Sequence, residues 1–238
     1  METEQNSIVY NMTFQGIGEK KQIKLKKSFP KYLKSNRKRM VQYFGETRTE
    51  QAFSKAQKIY PEIVNKTPSF NTPMYDSLMS IASKMAALKK GMKTAGISTE
   101  EFVKFNIENT RSTALKIPMF LRRLGGKIYL SKLMRRYLKR VAKSVTANGW
   151  PTRLIDGKKE DDFDMSIETE NCQMITFWES LGEGDIKPYC TFFDFTSAEL
   201  LGVGLEQVSA IDSGVCKYRF CKKGKVKWPD AVQKIIDQ

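Results

Sequence analysis

The sequence of 238 residues contains no histidine. This absence excludes Ser-His-Asp and Cys-His catalytic arrangements, histidine-ligated metal sites and the most common general base at neutral pH. Any catalysis must therefore use Cys, Asp, Glu, Lys or Tyr, or a metal held by sulfur and oxygen atoms.

Long apolar runs and export signals are also missing. No run of about 18 apolar residues occurs, which excludes a membrane-spanning helix, and the first 30 residues have no apolar segment typical of a secretory signal. Four cysteines without any C-x-x-C pair predict free thiols and a cytoplasmic location. With 40% apolar and 28% charged residues, the chain can bury a core, and its length fits one or two domains.

Positive charge is concentrated in the first part of the chain. Up to Trp150 there are 30 basic and 10 acidic residues, a net charge of +20, whereas the remainder has 11 and 16, a net charge of −5. Residues 121–143 carry nine basic residues and no acidic one. This pattern fits either a nucleic-acid or anionic-lipid surface or the solvated face of a long helix. Because no nucleic-acid motif accompanies the charge, we favour the solvated face with general attraction of anions.

Three segments follow from the patterns of apolar and polar residues. Residues 1–28 are polar and lysine-rich and predict a short strand or an arm; residues 29–150 predict a helical region, because apolar residues recur every three or four positions. Residues 151–238 predict a small antiparallel sheet with a packed helix, continuous with the helical region, so the fold class is α+β. The predicted helices are Pro30 to Gly45, Glu46 to Tyr60 with an end near Pro61, Pro73 to Gly96, Ser98 to Leu115, and a basic helix after Pro118 that Gly125-Gly126 bend or interrupt.

The last segment has its own local signals. Phe163, Met165 and Ile167 alternate with polar residues, which predicts a half-buried strand. A short helix is predicted over Cys172 to Leu181, one more helical turn from Ser197, and a hairpin around Asp212-Ser213-Gly214. Methionines such as Met74 and Met85, and the tryptophans Trp178 and Trp228, are interpreted as packing residues.

All four cysteines lie in this segment, at positions 172, 190, 216 and 221, and Asp194 follows Cys190 by four residues. A reactive cysteine needs a cation, a helix N-terminus or a metal to lower the pKa of its thiol, and Cys172 lies at a predicted helix start. Cys216 and Cys221 are five residues apart, so they point to opposite faces of one strand. From spacing alone, inert thiols are the preferred interpretation.

A family resemblance changes that preference. The stretches FDMSIETENC ending at Cys172, KPYCTFFD ending at Asp194, Gly204-Leu205, Gly214 and CKYRF from Cys216 resemble the L-2-amino-thiazoline-4-carboxylic acid hydrolase family. Weaker counterparts are Met74-Tyr75-Asp76 and the turn GISTEE starting at Gly96. The resemblance implies an α+β fold and a site built from Cys172, Cys190, Cys216 and Asp194.

The sequence departs from the family pattern at three positions. Gln207 and Ala210 stand where the family has arginine and threonine, and Lys217 replaces the aspartate that follows the last cysteine. If the family arginine holds a substrate carboxylate, Gln207 weakens that grip and points to a different substrate. Gln207 and Arg219 are the predicted substrate-binding residues, although Arg219 also fits an ordinary position on the sheet surface.

The resemblance implies a hydrolase acting on a small cyclic amidine or thiazoline-like compound with a C–N or C–S bond. In one route, the Cys190 thiolate attacks the ring carbon while Asp194 binds the amidine and handles the proton of water. In the other, Cys172, Cys190 and Cys216 hold zinc, with or without Asp194. The alternative function is a non-catalytic small-molecule or zinc-binding module, loosely similar to 4-vinyl-reductase-type sensor domains.

Overall fold

The computed structural model describes residues 16–238, except for the side chain of Ile211. Helices occupy the first part of the described chain and a small sheet with further helices the second, so the predicted α+β class is confirmed. None of the described helices has the length and apolarity of a membrane span. The helices of the first part are α1 (Glu19–Phe44), α2 (Glu46–Lys66), α3 (Pro73–Thr94), α4 (Thr99–Ala114), α5 (Met119–Tyr129) and α6 (Lys132–Ala147).

The sheet of the described residues has five strands in the order β1-β2-β4-β3-β5. All neighbouring pairs are antiparallel except β3 and β5, which makes the sheet mixed instead of purely antiparallel as predicted. Its elements and the helices between them are β1 (Thr152–Asp156), β2 (Met165–Glu170), α7 (Gln173–Ser180), α8 (Phe192–Leu201), β3 (Gly204–Ser209), β4 (Val215–Cys221), β5 (Val226–Lys227) and α9 (Asp230–Ile236).

The first two helices are longer than predicted because buried residues continue beyond their prolines. Helix α1 begins at Glu19, so the prediction of a strand or arm is wrong for residues 19–28, and residues 1–15 of that segment lie outside the described residues. Pro30 lies inside α1, where Leu25, Phe29 and Leu33 form one buried face across it. Helix α2 likewise passes Pro61. Burial of a continuous apolar face thus outweighs the backbone hydrogen bond that each proline removes.

The signals around α4 to α6 are partly confirmed. Ser98 caps α4 in a reciprocal capping box with Glu101, as predicted. The break in the basic region, however, occurs at Leu130, which is buried, and at Ser131, which caps α6. Gly126 lies inside α5, and a Cβ atom there would come within 2.5 Å of the carbonyl oxygen of Leu201. This glycine therefore allows close packing of α5 instead of ending the helix.

The predictions for the second part are confirmed for β2, α7 and the hairpin that connects β3 and β4. Strand β1 was not predicted, and α8 begins five residues before the predicted turn at Ser197. The larger hydrophobic core contains residues from both parts, for example Phe102 of α4 and Trp178 of α7, whose rings are 6.4 Å apart. A smaller core lies between the sheet, α6 and α8.

Candidate functional site

A cavity of about 360 Å³ lies between one face of the sheet and the helices that cover it. Helix α3 forms one wall, and α7 with the start of α8 forms another. Helix α5 contributes Tyr129, and α6 contributes Leu138 and Ala142. Most of the lining side chains are apolar or aromatic. The cavity thus has the size and the lining of a small-molecule site.

The strand register determines which side chains of the sheet reach the cavity. Thr169 pairs with Cys216, Ile167 with Tyr218, and both pairs line the cavity. Cys221 is an odd number of residues from Cys216 and contacts the carbonyl oxygen of Asp162 outside the cavity, at 3.2 Å. The opposite orientation of these two thiols therefore agrees with the prediction.

The other two predicted cysteines reach the same cavity from loops. Cys172 is the N-cap residue of α7, and its side chain forms no capping hydrogen bond. Cys190 follows a 3-10 turn, Gly184–Tyr189, directly before α8. Asp194 lies in the first turn of α8. The structure thus places all four predicted catalytic side chains, Cys172, Cys190, Cys216 and Asp194, around one cavity.

The thiols in the cavity are not activated. Burial raises the pKa of Cys172 to about 11, although the nearby backbone N–H groups of Ile175 and Met174 act in the opposite direction. Burial also raises the pKa of Cys190 well above its ordinary value, with further contributions from the other two thiols and Asp194. The pKa of Cys216 is raised for the same main reason. At neutral pH these groups are therefore thiols and not thiolates.

Asp194 carries the negative charge of the site. It forms no hydrogen bond or ion pair with another side chain among residues 16–238, and desolvation raises its pKa to about 6. Its side chain is exposed, and it is also one of the residues that line the cavity. Its charge contributes, after burial, to the raised pKa values of Tyr75, Tyr129 and Tyr218. The carboxyl group is thus close to several cavity walls at once.

No lysine or arginine is among the described residues that line the cavity. Arg219, predicted to bind substrate, belongs to the opposite face of β4; its guanidinium lies 5.1 Å from the ring centre of Phe163 and 3.6 Å from a carboxylate oxygen of Asp162. Lys217 is on that face too, paired with Glu168 at 2.7 Å. Arg219 therefore does not line this cavity, since the alternation of β4 turns it to the opposite face, and its role in substrate binding stays a prediction.

Gln207 is close to the cavity but not part of its lining. Its Nε2 atom donates a hydrogen bond to the sulfur of Cys216 at 3.7 Å. This contact restrains the Cys216 side chain. Gln207 thus contacts a cavity residue, and its role in substrate binding stays a prediction.

The zinc alternative is not supported by the side-chain positions. Among the residues that the structure describes, no three cysteine, aspartate or glutamate side chains come close enough together to hold one metal ion. Cys172, Cys190 and Cys216 line one cavity without forming a ligand cluster. The arrangement therefore resembles a pocket lined by thiols, and not a tetrahedral metal centre.

Several lining residues were missed or misassigned from the sequence. Met74, Met85 and Trp178, interpreted there as packing residues, also line the cavity. Trp150 does so too, and neither its indole N–H nor that of Trp178 has a hydrogen-bond acceptor in the described part of the chain. Trp228 is a packing residue, as predicted, with its ring centre 5.6 Å from that of Phe195. Helical spacing shows which residues share a face, but not whether that face meets a protein core or a cavity.

No protein-family model, no curated protein and no solved structure matches this chain. The resemblance to the L-2-amino-thiazoline-4-carboxylic acid hydrolase family therefore stays a prediction. The functional conclusions below depend on the cavity and on the residues that line it.

Proposed function

We propose that the protein binds a small, mostly apolar molecule that carries one cationic nitrogen group, such as an amine or amidine. The observation that carries this proposal is the unpartnered carboxylate of Asp194 in an apolar cavity of about 360 Å³ that has no lysine or arginine in its described lining. Among apolar side chains a carboxylate is less well solvated than in open water, so a ligand that supplies the opposite charge gains free energy from pairing with it.

The remaining lining supports a cationic ligand. The aromatic rings of Tyr75, Tyr129, Tyr218, Trp150 and Trp178 surround the cavity, and aromatic faces attract cations. The methionines of α3 provide an adaptable apolar wall for the rest of the ligand. An anionic ligand, in contrast, would meet Asp194 without any cation to compensate its charge.

Benzamidine and benzamide test the proposal, because they have nearly the same shape and differ in charge. We expect benzamidine to bind more tightly than benzamide by about tenfold or more, as for a charge-assisted hydrogen bond. Because the pKa of Asp194 is about 6, the preference should be present above that pH and fade as the pH falls below it. Isothermal titration calorimetry at several pH values measures both effects.

The matched variants are Asp194→Asn and Asp230→Asn, the latter an exposed carboxylate at the start of α9. Asp194→Asn should remove the preference for benzamidine, whereas Asp230→Asn should keep it. Equal affinities for the two compounds in the unmodified protein, or a preference that survives Asp194→Asn, would contradict the proposal.

A second function, hydrolysis of a bound cyclic amidine, is favoured by the pKa of about 6 for Asp194, which suits a general base near neutral pH. Asp194 would take a proton from water while the water oxygen bonds to the ring carbon. The C–S bond then breaks and the sulfur receives a proton, so a 2-amino-thiazoline yields a urea with a free thiol. This mechanism does not need a thiolate from Cys190.

The probe for hydrolysis is 2-amino-2-thiazoline, with the released thiol measured by a colorimetric reagent. We expect the rate to rise as the pH passes about 6, where Asp194 ionises, and then to level off. Cys190→Ser should keep the activity and Asp194→Asn should lose it. A rate that rises only at strongly alkaline pH would instead indicate a thiolate nucleophile, and the absence of turnover would contradict hydrolysis while leaving the binding proposal intact.

A further inference from the structure

Helix α5 turns its large apolar side chains to the surface, and its two glycines face the rest of the protein. Phe120, Leu124 and Ile128 follow one another at intervals of four, so they share one side of the helix, and they are 69%, 50% and 51% exposed. Leu121 extends the same side and is also exposed. Most helices of globular proteins turn such a stripe toward the core.

The opposite side of α5 holds it to the protein. Gly125 and Gly126 face Leu201 at the end of α8, Arg122 donates a hydrogen bond to the carbonyl oxygen of Leu200 at 3.2 Å, and the ring of Tyr129 contacts that of Phe220. These contacts fix the rotation of α5. The outward position of the apolar stripe is therefore built into the packing of the helix.

Basic residues flank the stripe. Arg123 and Lys127 are both exposed, Arg123 with its stem beside Gly202, and neither forms an ion pair within residues 16–238. The adjoining segments continue both characters, with exposed Leu115, Ile117, Leu133 and Tyr137 and exposed Lys116, Lys132, Arg136 and Arg140. No acidic residue occurs anywhere from position 109 to position 155. The surface thus combines a contiguous apolar stripe with basic residues and no acidic ones.

We propose that this surface of α5 binds an anionic lipid bilayer, with the stripe Phe120, Leu121, Leu124 and Ile128 entering the boundary between headgroups and acyl chains. An amphipathic helix with Lys and Arg beside its apolar residues gains free energy from both burial and attraction to acidic headgroups. The basic residues match the charge of such a membrane. The apolar residues match its interior.

The alternatives account for only one of the two features. Nucleic acid would pair with the basic residues but leave the large apolar side chains in water, because its contacts are dominated by phosphates. A symmetric dimer through the same surface would bury the stripe but bring Arg123 and Lys127 close to their own copies. A bilayer with acidic lipids meets both requirements.

Co-sedimentation of the full chain with vesicles tests the proposal. We expect binding to vesicles of mixed phosphatidylcholine and phosphatidylserine, weaker binding to phosphatidylcholine alone, and a decrease at high salt as the charges are screened. Phe120→Gln with Leu124→Gln, and separately Arg123→Gln with Lys127→Gln, should each lower the partition coefficient roughly tenfold or more. All four positions are exposed, so the variants should unfold at the temperature of the unmodified protein.

Matched controls lie on α1 and β3. Ile23→Gln with Val208→Gln removes two exposed apolar side chains, and Lys24→Gln with Lys27→Gln removes two exposed charges; these variants should bind vesicles like the unmodified protein. Absence of binding to acidic vesicles, or equal losses in the α5 and control variants, would overturn the proposal. So would duplex DNA binding that exceeds vesicle binding at the same salt concentration, or a dimer in sedimentation velocity that the α5 variants dissociate.

Discussion

Replacing Lys89 with alanine should lower the free energy of unfolding by about 3–5 kcal/mol, the range found when one partner of a buried ion pair is removed. Lys89 is 1% exposed, and its Nζ atom lies 2.7 Å from Glu183, which is 2% exposed, and 2.6 Å from Asp185. Without Lys89, the Glu183 carboxylate would be buried with no cation beside it. Urea denaturation measures the change, provided that the slope with denaturant stays the same.

Lys93→Ala is the matched control, because Lys93 also contacts Asp185 but is 59% exposed and 3.7 Å away. It should cost less than about 1 kcal/mol, as exposed ion pairs usually do. The double variant Lys89→Met with Glu183→Gln should be more stable than Lys89→Ala, since it removes both buried charges together. If Lys89→Ala cost no more than Lys93→Ala, the interaction would not be the strong link that its burial indicates.

This ion pair also matters for the cavity. Lys89 belongs to α3, one wall of the cavity, while Glu183 and Asp185 lie in the connection that leads from α7 to Cys190. Lys90 adds a hydrogen bond from its Nζ atom to the carbonyl oxygen of Leu181 at 2.6 Å. Adjacent lysines of α3 thus fasten the loop that places Cys190, so the stability of this region and the shape of the cavity depend on the same contacts.

The parts of the fold that could be predicted are those determined by local chemistry. The capping box of Ser98 and Glu101, the start of α3 at Pro73 and the hairpin before β4 each depend on a few neighbouring residues. The errors arose where distant contacts decide. Pro30 lies within a helix because the face around it is buried, and Gly126 serves the packing of α5 against Leu201.

The sequence singled out four residues that line the cavity, but not the charge or the apolar character of the lining around them. The family resemblance selected Cys172, Cys190, Cys216 and Asp194, which all line the cavity. The resemblance did not reveal that the described lining lacks a cation, because this depends on which way Arg219 and Lys217 point from β4. Nor could spacing distinguish Met74 and Trp178 as cavity residues from core residues, since both environments are apolar.

The cavity thiols should react with iodoacetamide far more slowly than the same thiols in the unfolded chain. Burial raises the pKa of Cys172 from 9.0 to about 11, so its thiolate fraction at neutral pH is lower by about 100-fold, and the rate of alkylation should fall in proportion. Burial also raises the pKa of Cys190, so its alkylation should be slowed as well. Mass spectrometry of the cysteine-containing peptides, with the protein in buffer and in urea, measures each rate.

Restricted access alone would also slow alkylation, and the pH dependence separates the two causes. If the pKa controls the rate at Cys172, alkylation should continue to increase tenfold per pH unit beyond pH 9, up to about 11; a thiol that is only shielded should level off near its ordinary pKa. Cys221→Ser removes the thiol outside the cavity and should leave these rates unchanged. Rapid alkylation of Cys190 at neutral pH would show an activated thiolate, and it would transfer the hydrolytic role from Asp194 to the Cys190 nucleophile that the family resemblance implies.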